Sequence, residues 1–141
     1  MKTLGDMIKH DLVSCAPGDV VLDVARRLAH HKLGALPVID ATRLVGILTE
    51  GDLLFKIVAE NRDPAKTKVA EVMTRDPITA SPSMPIEDAV EELRRRGFRR
   101  LPIVDGGRVV GLISLRDLFA AEVQDALQEN YRLKMQMMTG D

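Results

Sequence analysis

The stretch Gly46-Ile47-Leu48-Thr49-Glu50-Gly51-Asp52-Leu53 returns later in the chain as Gly111-Leu112-Ile113-Ser114-Leu115-Arg116-Asp117-Leu118. Working outward from this pair, residues 6–54 align with 71–119 without a gap. Identical pairs include Pro17/Pro82, Asp23/Asp88, Leu28/Leu93, Leu36-Pro37/Leu101-Pro102, Gly46/Gly111 and Asp52/Asp117. Two copies are too few for a solenoid. They predict a pseudo-twofold pair in which each half covers the apolar face of the other, because about 60 residues bury a core only marginally on their own.

Each half reads as β-α-β-β-α, a mixed α+β unit. A short extended segment (Leu12 to Cys15, Ile78 to Ala80) runs into Pro17 or Pro82, and proline biases its predecessor away from helix. Val20, Val24 and Leu28, then Ile86, Val90 and Leu93, recur at helical spacing. Asp19 and Ser83 are the predicted N-caps, and Gly97 and Lys32-Leu33-Gly34 the predicted stops. Two strands follow, Leu36 to Ile39 and Leu44 to Leu48, joined by Asp40-Ala41-Thr42-Arg43; the second half repeats them around Asp105-Gly106-Gly107-Arg108. A second helix begins near Thr49 and Ser114. The expected divisions are residues 1–59, a polar linker 60–68, residues 69–120, and a helical tail 121–141 on which Phe119, Val123, Ala126, Leu127, Asn130 and Tyr131 share one side. Such a stripe is ordinarily core or dimer seam.

Composition narrows the function. The chain has 141 residues, Lys plus Arg 20 against Asp plus Glu 21, and 45% hydrophobic residues, an ordinary globular mix. A net charge of -1 offers no global attraction for nucleic acid or an anionic membrane. Aromatic residues are 3%, too few for a base-stacking platform. No apolar run approaches the ~18 residues of a membrane span, and the first residues carry no apolar leader. Cys15 is the one cysteine, which fits a reducing cytoplasm. His30 and His31 point apart, His10 and Cys15 form no nucleophile pattern, and no glycine-rich phosphate loop or acid–base pair is present, so an enzyme and a metal site are not expected.

Two features carry candidate chemistry. Thr49 with Asp52, and Ser114 with Asp117, place a hydroxyl and a carboxylate three residues apart at a strand-to-helix join. As a capping box, the pair satisfies the helix's own backbone. As a ligand site, the carboxylate accepts vicinal sugar hydroxyls while the helix start faces a phosphate. The second feature is Arg94-Arg95-Arg96-Gly97-Phe98-Arg99-Arg100, whose last two arginines lead into the buried strand at Leu101 and suit phosphate binding. Their counterparts are Gly34 and Ala35, and conversely Arg116 precedes Asp117 where Gly51 precedes Asp52, so cations are distributed unequally between the halves.

Val69-Ala70-Glu71-Val72-Met73-Thr74, Ile78-Thr79, Leu101-Pro102-Ile103-Val104-Asp105 and Gly111 to Leu118 together resemble a CBS motif, named for cystathionine β-synthase. Leu4 to Ile8, Leu36 to Asp40 and Gly46 to Leu53 resemble it again, and the likeness spans roughly residues 3–120. The resemblance implies a stand-alone Bateman module: two motifs packed through their sheets, two symmetric clefts for adenosyl ligands (AMP, ADP, ATP, S-adenosylmethionine or NAD), no catalysis and no cofactor. It also implies a homodimer and a regulated protein partner. One cleft is expected to join Thr49 and Asp52 with Ile78, Thr79, Ala80, Arg99, Arg100 and Pro102; the other joins Ser114, Arg116 and Asp117 with Val13, Ser14, Cys15, Gly34, Ala35 and Pro37. Asp52 and Asp117 hold ribose in this reading, backbone at Thr79 or Ser14 reads adenine, and the Arg100 cleft prefers more phosphate. The alternative is an interaction protein with degenerate clefts.

Overall fold

The computed structural model describes residues 2–9 and 11–139; Met1, His10 and the last two residues of the tail lie outside them. The elements of the first half are α1 (Val21–His31), β1 (Ala35–Asp40), β2 (Arg43–Thr49) and the short turn α2 (Glu50–Asp52). The second half contributes α3 (Val69–Val72), β3 (Thr74–Arg75), α4 (Ile86–Arg96), β4 (Arg100–Asp105), β5 (Arg108–Ser114) and the long α5 (Leu115–Thr139). β1 pairs antiparallel with β2, and β4 with β5, in matching register: Pro37 opposes Ile47 and Pro102 opposes Leu112.

Both amphipathic helices form where the apolar period places them. Their terminators differ in chemistry. Gly97 ends α4 at φ 70°, whereas Lys32 ends α1 in the same left-handed region at φ 56°, a conformation that costs a side-chain-bearing residue more than glycine. Asp19 and Ser83 are not the caps. Val20 and Pro85 occupy those positions, while the Asp19 carboxylate accepts the Ala16 N–H at 2.9 Å. The extended segments before the prolines form single bridges rather than strands, Cys15 beside Val38 and Ala80 beside Ile103. After α2 the chain winds as a π-helix over Leu53–Val58, with the Ala59 N–H reaching the Leu54 carbonyl at 2.9 Å; α5 has no such segment.

The halves exchange their leading segments. Val69 and Val72 of α3, with Met73, pack into the first core around Val24, Leu36 and Leu48, while Leu4 packs into the second around Leu93, Leu101 and Ile103. The backbone bonds of the exchange are themselves repeated: Leu4 and Gly5 donate to Met84 and Pro82, and Val69 and Ala70 donate to Asp19 and Pro17. Each core is therefore incomplete without a turn from the other half. Residues 60–68 include a 3-10 turn, Pro64–Lys66, and Lys68 bridges to Val20. β3 extends the first sheet, Gly46 opposing Arg75, and the second sheet has two strands among the described residues.

Candidate functional site

β2 and β5 each deliver a strand end and a helix start to the junction between the halves. There the Glu50 N–H donates to the Gly34 carbonyl and the Leu115 N–H to that of Arg99, at 2.9 and 2.8 Å. Two clefts open beside these junctions.

The first, about 460 Å3, sets Thr49, Glu50 and Gly51 against the second half's Thr74 to Ile78 and Phe98 to Arg100. Four arginines line it (Arg75, Arg96, Arg99 and Arg100), opposed by Glu50 and Asp76, over an apolar floor of Ile47, Ile78 and Phe98. Arg100 Nη2 lies 3.9 Å from Glu50 Oε1. A Cβ at position 34 would overlap that guanidinium and stand 3.2 Å from Glu50 Oε1, so the missing side chain of Gly34 leaves room for the pair.

The second cleft, about 750 Å3, sets Asp117 and Leu112 against Val13, Ala35 and Pro37. Its charged lining is Lys9, Asp11 and Asp117, with His31 beside them. The first cleft therefore carries excess positive charge and the second does not.

The two aspartates sit differently. Asp52 is 6% exposed and turned inward: Oδ2 accepts the Thr49 N–H at 3.0 Å, the Thr49 hydroxyl accepts the Asp52 N–H, and Oδ1 receives Thr74 Oγ1 at 3.2 Å and Lys56 Nζ at 2.9 Å. It does not line the first cleft. Its own helix start, Lys56 and Thr74 absorb the charge that the ligand reading assigned to a sugar. Asp117 also caps, accepting the Ser114 N–H at a longer 3.3 Å, but it is exposed and faces the second cleft. The repeat explains the difference, because Ala121 stands at the position of Lys56 and Lys9 at that of Thr74.

Of the residues expected in the first cleft, Thr49, Ile78, Arg99 and Arg100 line it. Ala80 and Pro102 are buried behind it, Ala80 donating its N–H to the Pro102 carbonyl, and Thr79 is exposed next to Ile78. Of those expected in the second, Val13, Ala35, Pro37 and Asp117 line it. Gly34 lies in the first cleft instead, held there by its bond to Glu50. Cys15 is in the core, its thiol 3.7 Å from the Pro37 carbonyl, with its pKa pushed up to about 12 chiefly by burial. The Ser14 carbonyl is taken by Arg27 Nη1 at 2.7 Å, and Ser114 and Arg116 are outside the cleft lining. Sequence reasoning missed Lys56, Thr74, Arg96 and Phe98; for the first two, the mismatched repeat positions were the available signal. No group of His, Cys, Asp and Glu among the described residues is arranged to hold a metal, and no described helix is long and apolar enough to cross a membrane.

The CBS-domain family profile matches residues 4–59 and 69–124. The CBS domain-containing protein YhcV of Bacillus subtilis is 33% identical over 84% of this chain and 84% of its own. The crystal structure of CBSX2 in complex with AMP superposes with a TM-score of 0.76 at 29% identity, covering 88% of this chain and 98% of that one. That of the CBS domain pair of protein MJ0100, in complex with 5'-methylthioadenosine and S-adenosyl-L-methionine, gives 0.79 at 26% identity over 89% and 98%. The exchanged leading turns, the paired antiparallel sheets and these matches agree: the chain is a tandem pair of CBS domains and belongs to the CBS-domain family.

Proposed function

We propose that this CBS pair is a non-catalytic regulatory module of the cytoplasm that senses adenosyl nucleotides in its two clefts and works as a homodimer. The observation that carries the reading is the first cleft. Its apolar floor of Ile47, Ile78 and Phe98 suits a base, and its arginines stand where a phosphate chain would run from the start of α2. Relatives of the same fold in complex with AMP and with S-adenosyl-L-methionine support the ligand class. The excess of arginine favours the more phosphorylated nucleotide in the first cleft. In the second, the open carboxylate of Asp117 is the ribose acceptor, and the lower cationic charge suits a ligand with little or no phosphate. Sensing follows if the closed and open arrangements of the halves differ in affinity, since a ligand shifts an equilibrium only by that difference; the altered surface is then read by a regulated protein.

The inward Asp52 favours one competing reading, an interaction protein whose clefts no longer bind. A thermal-shift panel with AMP, ADP, ATP, S-adenosylmethionine and NAD separates the two. A ligand at a hundred times its dissociation constant stabilises the fold by about 2.7 kcal/mol. Arg100→Ala is expected to lose the response to the phosphorylated ligands, and Asp117→Ala to weaken binding in the second cleft by about 1.5–3 kcal/mol. Flat curves across the panel establish the competing reading, and product formation in the same samples would make the protein an enzyme.

A further inference from the structure

α5 runs for 25 residues, but only its first turns rest on the body. Leu118 is buried and Asp125 pairs with Lys2 at 3.2 Å; from Ala126 to Thr139 every residue is exposed. This projecting rod is not uniformly polar. Phe119, Val123, Ala126, Asn130, Leu133 and Met137 follow one another at alternating steps of four and three, and Val123 and Leu133 are 59% and 49% exposed. Alternate steps of four and three are the a/d spacing of a heptad, the seam of a left-handed two-stranded coil.

We propose that a second copy of this chain covers this stripe, the two α5 helices pairing parallel and in register from Phe119 to Met137 as a coiled coil. Three observations select that occupant and that direction. Asn130 is the one polar residue in the stripe and falls at an a position, where two asparagines facing across the axis fix register and two-strandedness. Glu129 takes the g position and Lys134 the e position of the next heptad, the two that meet between parallel partners. Among the described residues Lys134 forms no ion pair, while Glu129 meets Arg132 on its own helix. An antiparallel pair would instead bring g to g, and both Glu122 and Glu129 are acidic there. The third is continuity. Leu54, Phe55 and Val58 are exposed at 54%, 68% and 69% on the helix that closes the first half, and the repeat puts Leu54 and Val58 at the positions of Phe119 and Val123. A pair formed along α5 thus has more apolar surface to bury at its base. A coil this short is marginal in isolation. Here each helix is already nucleated by the folded body at Leu118.

The inference commits the homodimer reading above to one surface and does not depend on nucleotide binding. Light scattering on a sizing column reads the oligomeric state, and mild oxidation of Ala126→Cys at a d position, against Gln128→Cys at an f position, reads the surface. The buried Cys15 is a spectator in both variants. The expected result is a dimer that crosslinks through position 126 and not through 128. Leu133→Glu, at an exposed site, should weaken the dimer by about tenfold or more without lowering the melting temperature of the body. Glu129→Lys should weaken it as well, and adding Lys134→Glu should restore it. A dimer that neither crosslinks at 126 nor responds to the charge swap overturns this inference and leaves the homodimer standing. A monomer at all concentrations overturns both and assigns the stripe to a different protein.

Discussion

Lys56 Nζ lies 2.9 Å from Asp52 Oδ1 and 2.9 Å from the Val72 carbonyl oxygen, tying the start of α2 to the end of the exchanged α3. Asp52 is thereby a junction between three pieces of chain: its own helix start, Lys56, and Thr74 from the second half's leader. Among the described residues Asp117, its partner in the repeat, has only the cap.

The two aspartates are therefore expected to differ in what they do for stability. Asp52→Ala removes a cap worth about 1 kcal/mol and strands Lys56 and Thr74, for a total loss of about 2–3 kcal/mol. Asp117→Ala loses a longer, exposed cap bond and should cost no more than about 1 kcal/mol. Urea unfolding of both variants in the absence of ligand checks this. Equal losses would mean that the inward contacts of Asp52 contribute nothing.

What could be read from the sequence was local. Apolar residues spaced three to four apart placed α1 and α4, the glycine turn Asp105-Gly106-Gly107-Arg108 placed β4–β5 and the repeat carried it over to β1–β2, and the repeated Thr49/Asp52 and Ser114/Asp117 pairs marked both helix starts. The segment exchange could not be read in this way, because backbone bonds such as Gly5 to Pro82 and Ala70 to Pro17 leave no side-chain signature, and the apolar Leu4, Val69 and Val72 do not show which half they enter. Capping was misplaced for a related reason: Asp19 has the right chemistry but spends its carboxylate on the Ala16 N–H one turn earlier. In the clefts, the arginines and Asp117 follow from the repeat with its sequence differences. The withdrawal of Asp52 depends on Lys56 and Thr74 arriving together from i+4 and from the other half, a coincidence of tertiary structure.

Cys15 predicts a pH response. Its thiol is pushed from an ordinary 9.0 to about 12 by burial first, with Asp19 adding to the rise and Arg27 opposing it. The unfolded chain then gives up the proton before the folded one does. The stability that comes from keeping this thiol neutral is complete below pH 9 and is lost as pH climbs from 9 toward 12. Cys15→Ala, which copies Ala80 at the same point of the repeat, should show a shallower alkaline decline than the parent in urea titrations. The folded parent should also resist iodoacetamide at neutral pH. Identical pH profiles for the two proteins would contradict the burial argument.

Gly46 and Gly111 occupy the same position in the repeat, and the third strand makes them unequal. A Cβ on Gly46 would stand 2.7 Å from the Thr74 carbonyl oxygen and 2.8 Å from Met73 Sδ, inside contact distance of a backbone that is paired across β2 and β3. A Cβ on Gly111 meets Ile8 Cγ1 at an ordinary 3.4 Å. Gly46→Ala must therefore push β3 outward, at a cost of about 1–3 kcal/mol, while Gly111→Ala should stay within about 0.5 kcal/mol of the parent. The displacement has a second consequence, because Thr74 on β3 is a donor to Asp52 and a wall of the first cleft. Gly46→Ala should also change the ligand response of that cleft in thermal-shift measurements and leave the second cleft unaffected. A response altered equally in both clefts would show that β3 acts on the pair as a whole rather than on the site it borders.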